Sequence, residues 1–266
     1  MKDFNNKVAV VTGAGGGVGR SLCIALAQRG MHLALVDISA DALVATAEAC
    51  AGTGVRLSQH VTDISDKAQM AALPAAVTAE HQRVDLLVNN AGITYQKSFA
   101  THTIEDWERI VGINWWGVLY GCHYFLPLLK QSGDGHIVNM SSMAGMLGLP
   151  GQTSYCATKS AVRMLSEALW VELKKENVGV TTVHPGAVKT DMIQATLKQS
   201  DDVAAAQRNY RLAQKIGVTP EHVAERIITA IEKKSIRIRV GKDSILLDLL
   251  KRWFPVGIQK LMTKIA

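Results

Sequence analysis

The chain is predicted to fold as a doubly wound α/β domain, a mostly parallel seven-stranded sheet with helices on both faces. Three observations lead there. Seven short runs rich in Val, Ile and Leu alternate with segments long enough to be helices. The runs are continuously apolar rather than alternating, as strands covered on both faces must be. A glycine cluster follows the first run directly and leads into the first helical segment, where such a sheet turns from strand to helix.

In chain order the strands are expected at 8–11, 33–36, 55–60, 86–88, 137–140, 180–183 and 236–240. The segments 20–30, 40–51, 66–80, 104–130, 154–175 and 220–232 separate them, each long enough for the crossover that parallel pairing requires. Residues 192–217 exceed an ordinary connection and are expected to form a lid. Residues 1–241 therefore read as a single dinucleotide-binding and catalytic domain, and 242–266 as an amphipathic extension. In that extension Ile245, Leu246, Leu249, Leu250 and Trp253 share one helical stripe, Pro255 breaks it, and Ile258, Leu261, Met262 and Ile265 resume it. Lys251, Arg252, Lys260 and Lys264 lie on the remaining surface, which would suit peripheral contact with an anionic membrane. The favoured expectation is that the stripe packs on the body or on a neighbouring subunit.

Composition narrows the function. At 266 residues, with 48% hydrophobic and 20% charged side chains, the chain can close one core without disulfides or metals. The formal charge is +6, but the basic residues are scattered and no basic-aromatic stripe argues for nucleic acid. Cys23, Cys50, Cys122 and Cys156 lack metal-like spacing and read as reduced thiols, and no metal site is expected. The polar start lacks the pattern of a secretory signal, so a cytoplasmic location is expected, with membrane association as the variant.

After the first strand comes Thr12-Gly13-Ala14-Gly15-Gly16-Gly17-Val18-Gly19. Glycines let backbone approach a pyrophosphate closely, and a helix N-terminus supplies unpaired N-H groups. The second strand ends at Asp37, 18 residues beyond Gly19, near the offset at which an acid accepts hydrogen bonds from an adenosine ribose. A 2′-phosphate there would oppose the carboxylate by several kcal/mol if weakly screened, so Asp37 argues for NAD over NADP. Tyr155 and Lys159 are four residues apart in a helical pattern and share one face. An ammonium about 4 Å from the phenol contributes roughly 4 kcal/mol at an effective dielectric of about 20. That lowers the tyrosine pKa by up to about 3, toward the range useful for proton transfer.

The loop T-G-x-x-x-G-x-G, the segment Asn89-Asn90-Ala91-Gly92, Asn114 in a helix, Ser142 13 residues before Tyr155, and His184-Pro185-Gly186-Ala187-Val188-Lys189-Thr190 stand in this order. Together they resemble the short-chain dehydrogenase/reductase superfamily, over about residues 5–241. The resemblance implies a Rossmann-like fold, an NAD-dependent oxidoreductase acting on CH-OH groups, and a homo-oligomer, a dimer or tetramer. It implies that Tyr155 exchanges a proton with a substrate oxygen to which Ser142 hydrogen-bonds. Lys159 would bind the nicotinamide ribose and depress the tyrosine pKa, while Asn114 would hold a water. Gly13, Gly15, Gly16, Gly17, Val18, Gly19, Asp37, Asp63, Asn90, Ala91, Gly92, Tyr155, Lys159, Pro185, Gly186, Val188 and Thr190 would contact the cofactor, with Asp63 at the adenine. Met143, Ala144, Met146, Leu147, Leu149, Met192 and Ile193 are expected to bound a pocket for a hydrophobic alcohol or ketone. An NAD-using epimerase or dehydratase and a non-catalytic NAD-binding scaffold are the alternatives.

Overall fold

The apolar runs become strands β1 (Val8–Thr12), β2 (His32–Asp37), β3 (Leu57–Val61), β4 (Leu86–Asn89), β5 (His136–Met140), β6 (Gly179–Pro185) and β7 (Arg237–Val240). They form one sheet in the order β3-β2-β1-β4-β5-β6-β7, parallel at every pairing. In this computed structural model the described residues are 1–190, 192 and 200–263, except for the side chain of Ala205. Ile193, Lys264 and Ile265, named above, lie outside them.

Helices α1 (Gly17–Ala27), α2 (Ala40–Ala49), α3 (Lys67–His81), α4 (Ile104–Val111), α5 (Gly117–Gln131), α6 (Thr153–Glu172), α7 (Val203–Ile216), α8 (Pro220–Glu232), α9 (Lys242–Trp253) and α10 (Gly257–Met262) surround the sheet. Successive side chains of a strand point to opposite faces. Ala9 and Val11 of β1 accordingly join one core with Leu22, Leu26, Ile227 and Ile231. Val10 joins the other with Met70, Leu73, Phe125 and Val162. The sheet is thus covered on both sides, and the strand order reverses between β1 and β4, where a crevice opens at the strands' C-terminal ends.

Several expectations need correction. The edge strands β3 and β7 are only partly covered, because an edge has a neighbour on one side alone. Helix α1 starts at Gly17, three residues before Arg20, so Gly17, Val18 and Gly19 form its first turn. The segment expected as one helix over 104–130 is interrupted by a π-helical turn at Gly112–Trp116. Asn114 sits in that turn with its side chain bonded outside the helix, and such wide turns recur at functional sites.

Of the extension's stripe, expected on the body or on a neighbouring subunit, only part packs on the body. Asp248, in the middle of α9, is held by Arg239 at 2.7 Å, Arg252 at 3.1 Å and Arg237 at 3.6 Å. Two of these arginines lie on β7, so Ser244 and Asp248, one turn apart, face the body and are buried. Ile245, Leu246, Leu249 and Trp253 are consequently exposed rather than packed on the body. The inner contacts come from Leu247, Leu250, Ile258 and Met262, which meet Leu147 and Leu149. No helix among the described residues is long and apolar enough to cross a membrane.

Candidate active site

The glycine loop and the end of β4 meet at the crevice. Thr12 is the joint: its hydroxyl accepts from Asn90 N at 3.0 Å and Ala91 N at 3.1 Å. The Asn90 amide donates back to Thr12 O at 3.0 Å and Gly13 O at 3.1 Å. A β-carbon on Gly13 would stand 2.8 Å from Ala91 Cα, and one on Gly19 only 2.0 Å from Gly13 O. Those two glycines are needed for the loop to pack. Gly16 is different, since a β-carbon there would meet nothing within 4 Å. No contact among the described residues demands glycine at that position; a ligand lying close to the backbone would. The first-turn amides of α1 point the same way without intrahelical partners, so the cradle fits a dinucleotide pyrophosphate.

Asp37 closes one end of this cradle. One carboxylate oxygen accepts from Gly15 N at 2.9 Å and the other from Ser39 N at 3.1 Å. Arg20, which the sequence did not single out, reaches back to Gly15 O and donates to Thr46 Oγ1 at 3.0 Å, fixing the loop from below. Asp63 closes its own turn, its Oδ1 accepting from Ser65 N at 2.9 Å and Ser65 Oγ at 2.7 Å. The preceding residue, Thr62, donates its N-H to Asp37 O at 2.9 Å.

At the other end lie the residues expected to do the chemistry. Ser141 and Ser142 follow β5 and separate in role. Ser141 donates to Lys159 O at 2.8 Å and is a brace. Ser142 caps a short turn, accepting from Ala144 N at 3.1 Å, and its hydroxyl stands near enough to the Tyr155 phenol to favour the ionised form. Lys159 is buried and donates to Met140 O at 2.8 Å. Its ammonium lies 5.7 Å from the Tyr155 ring centroid and 3.3 Å from where a Gly92 β-carbon would stand. Asn114 is fully buried. Its Oδ1 accepts from Ile93 N, and its Nδ2 donates to Ile93 O, each at 2.9 Å. A further 3.3 Å contact runs from Nδ2 to Thr158 Oγ1. The Asn114 side chain therefore clamps the segment after Gly92 to α6.

Burial raises the Tyr155 phenol, and the Ser142 hydroxyl only partly offsets this. Burial also lowers Lys159 to about 8. The four-residue spacing brings the two heads to one site, where the buried ammonium donates to the Met140 carbonyl.

His184, behind Ser142, is fully buried and lowered to about 4 by burial. Its Nδ1 is 3.0 Å from Ser142 O, an acceptor only, so Nδ1 carries the proton and the ring is a neutral structural donor. Pro185 ends β6 inside the sheet opposite Val240. Val188 bridges Val218, and Thr190 Cγ2 lies 3.2 Å from a Gly17 β-carbon position, which brings this segment across the cradle. Of the expected pocket wall, Ala144, Met146 and Leu147 are buried, and Leu147 faces α10. Met143 is half-buried and Met192 exposed. Among the described residues no group of three or more His, Cys, Asp or Glu side chains is placed to hold a metal ion.

A family model described as short chain dehydrogenase matches residues 7–201. The Mycobacterium tuberculosis protein SadH, named as an oxidoreductase, is 37% identical over 267 residues, covering 98% of this chain and 96% of its own length. A levodione reductase of Leifsonia aquatica is 34% identical over 201 residues, 74% of this chain and 75% of the relative. Among solved structures, a short chain dehydrogenase/reductase from Burkholderia phymatum in complex with NAD has a TM-score of 0.86 and 30% identity, covering 97% of each chain.

Proposed function

The chain belongs to the short chain dehydrogenase family, and from that membership we propose that it is an NAD-dependent oxidoreductase interconverting a hydrophobic secondary alcohol and its ketone. The observation that carries this reading is the meeting of Ser142, Tyr155 and Lys159 beside Gly92 and Asn114, at the crevice end opposite Asp37. The NAD-bound structural neighbour supports the cofactor, and the carboxylate bonded to the glycine loop supports NAD(H) over NADP(H).

NAD(H), when bound, supplies or accepts the hydride. Residues 13–19, Asp37, Asp63, Asn90 and Ala91 would hold its adenosine and pyrophosphate parts, and Gly92, Tyr155, Lys159, Pro185, Gly186, Val188 and Thr190 its nicotinamide end. In reduction the Tyr155 phenol gives its proton to the carbonyl oxygen, to which the Ser142 hydroxyl also donates a hydrogen bond. In oxidation the tyrosine takes the proton back. The phenol, raised by burial, is protonated at neutral pH and so present as the acid that reduction needs. Lys159 stays close enough to stabilise the phenolate formed as the proton leaves.

Incubating the protein with secondary alcohols or ketones and each of NAD(H) and NADP(H), read at the nicotinamide absorbance, tests this. Turnover with NAD(H) and a preference of at least tenfold over NADP(H) are expected; no turnover on any member contradicts the reading. The same reading makes the protein a cytoplasmic homo-oligomer, with the outward face of α9 in contact with a second copy, as its exposed apolar residues require cover. Light scattering tests the oligomer. Sedimentation with anionic liposomes by a monomeric protein would instead assign that face to a membrane surface.

A further inference from the structure

The chain beyond β7 lies outside the matched family span of 7–201, yet it touches the site at three places. First, Asp243, at the start of α9, accepts from Ala187 N at 2.7 Å. Its carboxylate fills the space beside Gly186, where a β-carbon would stand 2.0 Å from Oδ1. The chain reaches this geometry through Gly241, whose φ of +100° few other residues adopt. Second, Ser244, fully buried, donates to His184 O at 2.8 Å, while the ring of that histidine donates to Ser142 O at 3.0 Å. An unbroken line of hydrogen bonds thus runs from α9 to the backbone of the serine beside Tyr155. Third, Ile258 and Met262 of α10 pack on Leu147, and Gln259 donates to Gly148 O at 3.1 Å, so the loop that leaves Ser142 is held from outside.

We propose that the extension is a working part of the site: Asp243 and Ser244 position the nicotinamide-facing segment 184–188, and Ile258, Gln259 and Met262 position the substrate-facing loop after Ser142. Asp243 of α9 and the named residues of α10 serve different ligands. The part concerning 184–188 and NADH, and the part concerning the loop and ketone, both rest on the reading of the preceding subsection. A segment that merely stabilised the fold would affect both ligands together. Single contacts within the extension can be separated, because Asp243 reaches the segment after β6 while Ile258 and Gln259 reach the 147–148 loop.

The test uses the full chain and three readouts: NADH dissociation constant by fluorescence titration, ketone KM, and thermal midpoint. Asp243→Ala is expected to weaken NADH about tenfold and leave ketone KM within twofold. Asp243→Asn, which keeps an acceptor oxygen for Ala187 N, should stay within threefold of wild type for NADH. Ile258→Ala combined with Gln259→Ala should raise ketone KM about tenfold with NADH affinity within twofold. Should either of the alanine variants fail to fold, Asp243→Ser, which keeps a shorter acceptor, and Gln259→Ala alone, at an exposed position, are expected to show the same separation at roughly threefold. The proposal is overturned if NADH affinity and ketone KM stay within twofold of wild type, or if both shift together in each variant alongside a lowered thermal midpoint. A wild-type protein that binds NADH but turns over no ketone would sink the functional reading, while the Asp243 titration would still decide the α9 half.

Discussion

Replacing Lys159 with methionine should make the protein more stable while removing its activity. The amine is buried without an acidic partner in its hydrogen-bond shell, donating to Met140 O, and burial lowers it from 10.5 to about 8. That depression corresponds to roughly 3 kcal/mol of unfavourable interaction for the charged amine at neutral pH. Methionine removes this cost but leaves Met140 O without its donor, which costs about 1–2 kcal/mol. Lys159→Met should therefore gain roughly 1–2 kcal/mol at pH 7. The pH dependence separates the two contributions. Between about pH 8 and 10.5 the unfolded lysine holds a proton that the native one has shed, so wild-type stability rises with pH in that window. From pH 7 to 9.5 this amounts to about 2 kcal/mol, and the variant should lack it. Urea unfolding of both proteins at the two pH values measures the difference directly. A stability gap that stays constant from pH 7 to 9.5 would refute the reasoning.

Three further outcomes are expected. Asp37→Ala, read by NADH and NADPH titration, should weaken NADH about tenfold and narrow discrimination against NADPH, since the ribose acceptor and the charge opposing a 2′-phosphate go together. Asp248→Ala leaves three partly exposed arginines without their common acid; a loss of about 2–3 kcal/mol, seen as a thermal midpoint lower by roughly 5–10 °C, is expected. Because burial raises the Tyr155 phenol, ketone reduction should be nearly flat from pH 6 to 8 while alcohol oxidation climbs with pH as the phenolate fraction grows. Parallel pH profiles for the two directions would contradict that assignment.

What could be read from the sequence was what repeats at short range or follows the strand ends. The central strands were legible because strands buried on both faces must be continuously apolar, and Gly13–Gly19, Asn90 and Asp37 were legible because a parallel sheet gathers its loops at one end. The edges were not: β3 is Leu-Ser-Gln-His-Val, whose assignment depends on pairing with β2 rather than on its own hydrophobicity. The spacing of Tyr155 and Lys159 correctly placed two heads at one site, but it could not show that Met140 O would claim the ammonium. The orientation of α9 escaped for the same reason. Its apolar stripe named one inner face, yet Asp248 is drawn to Arg237 and Arg239 across the body and turns another face inward. The partners of Thr12, and the roles of Arg20 and Asp243, went unnoticed because the residues they bond lie far along the chain, with Asp243 and Ala187 separated by 56 positions. An acid two residues past a glycine at the end of the last strand was the one local sign available.

The claim that Tyr155 moves the proton can be tested with one pair of proteins, wild type and Tyr155→Phe, each saturated with NADH and mixed with a ketone that the wild type reduces. The phenylalanine fills nearly the same space and removes only the hydroxyl. NADH affinity should remain within about twofold and the rate of nicotinamide oxidation should fall by roughly a thousandfold or more. Undiminished oxidation of NADH by Tyr155→Phe would contradict the account.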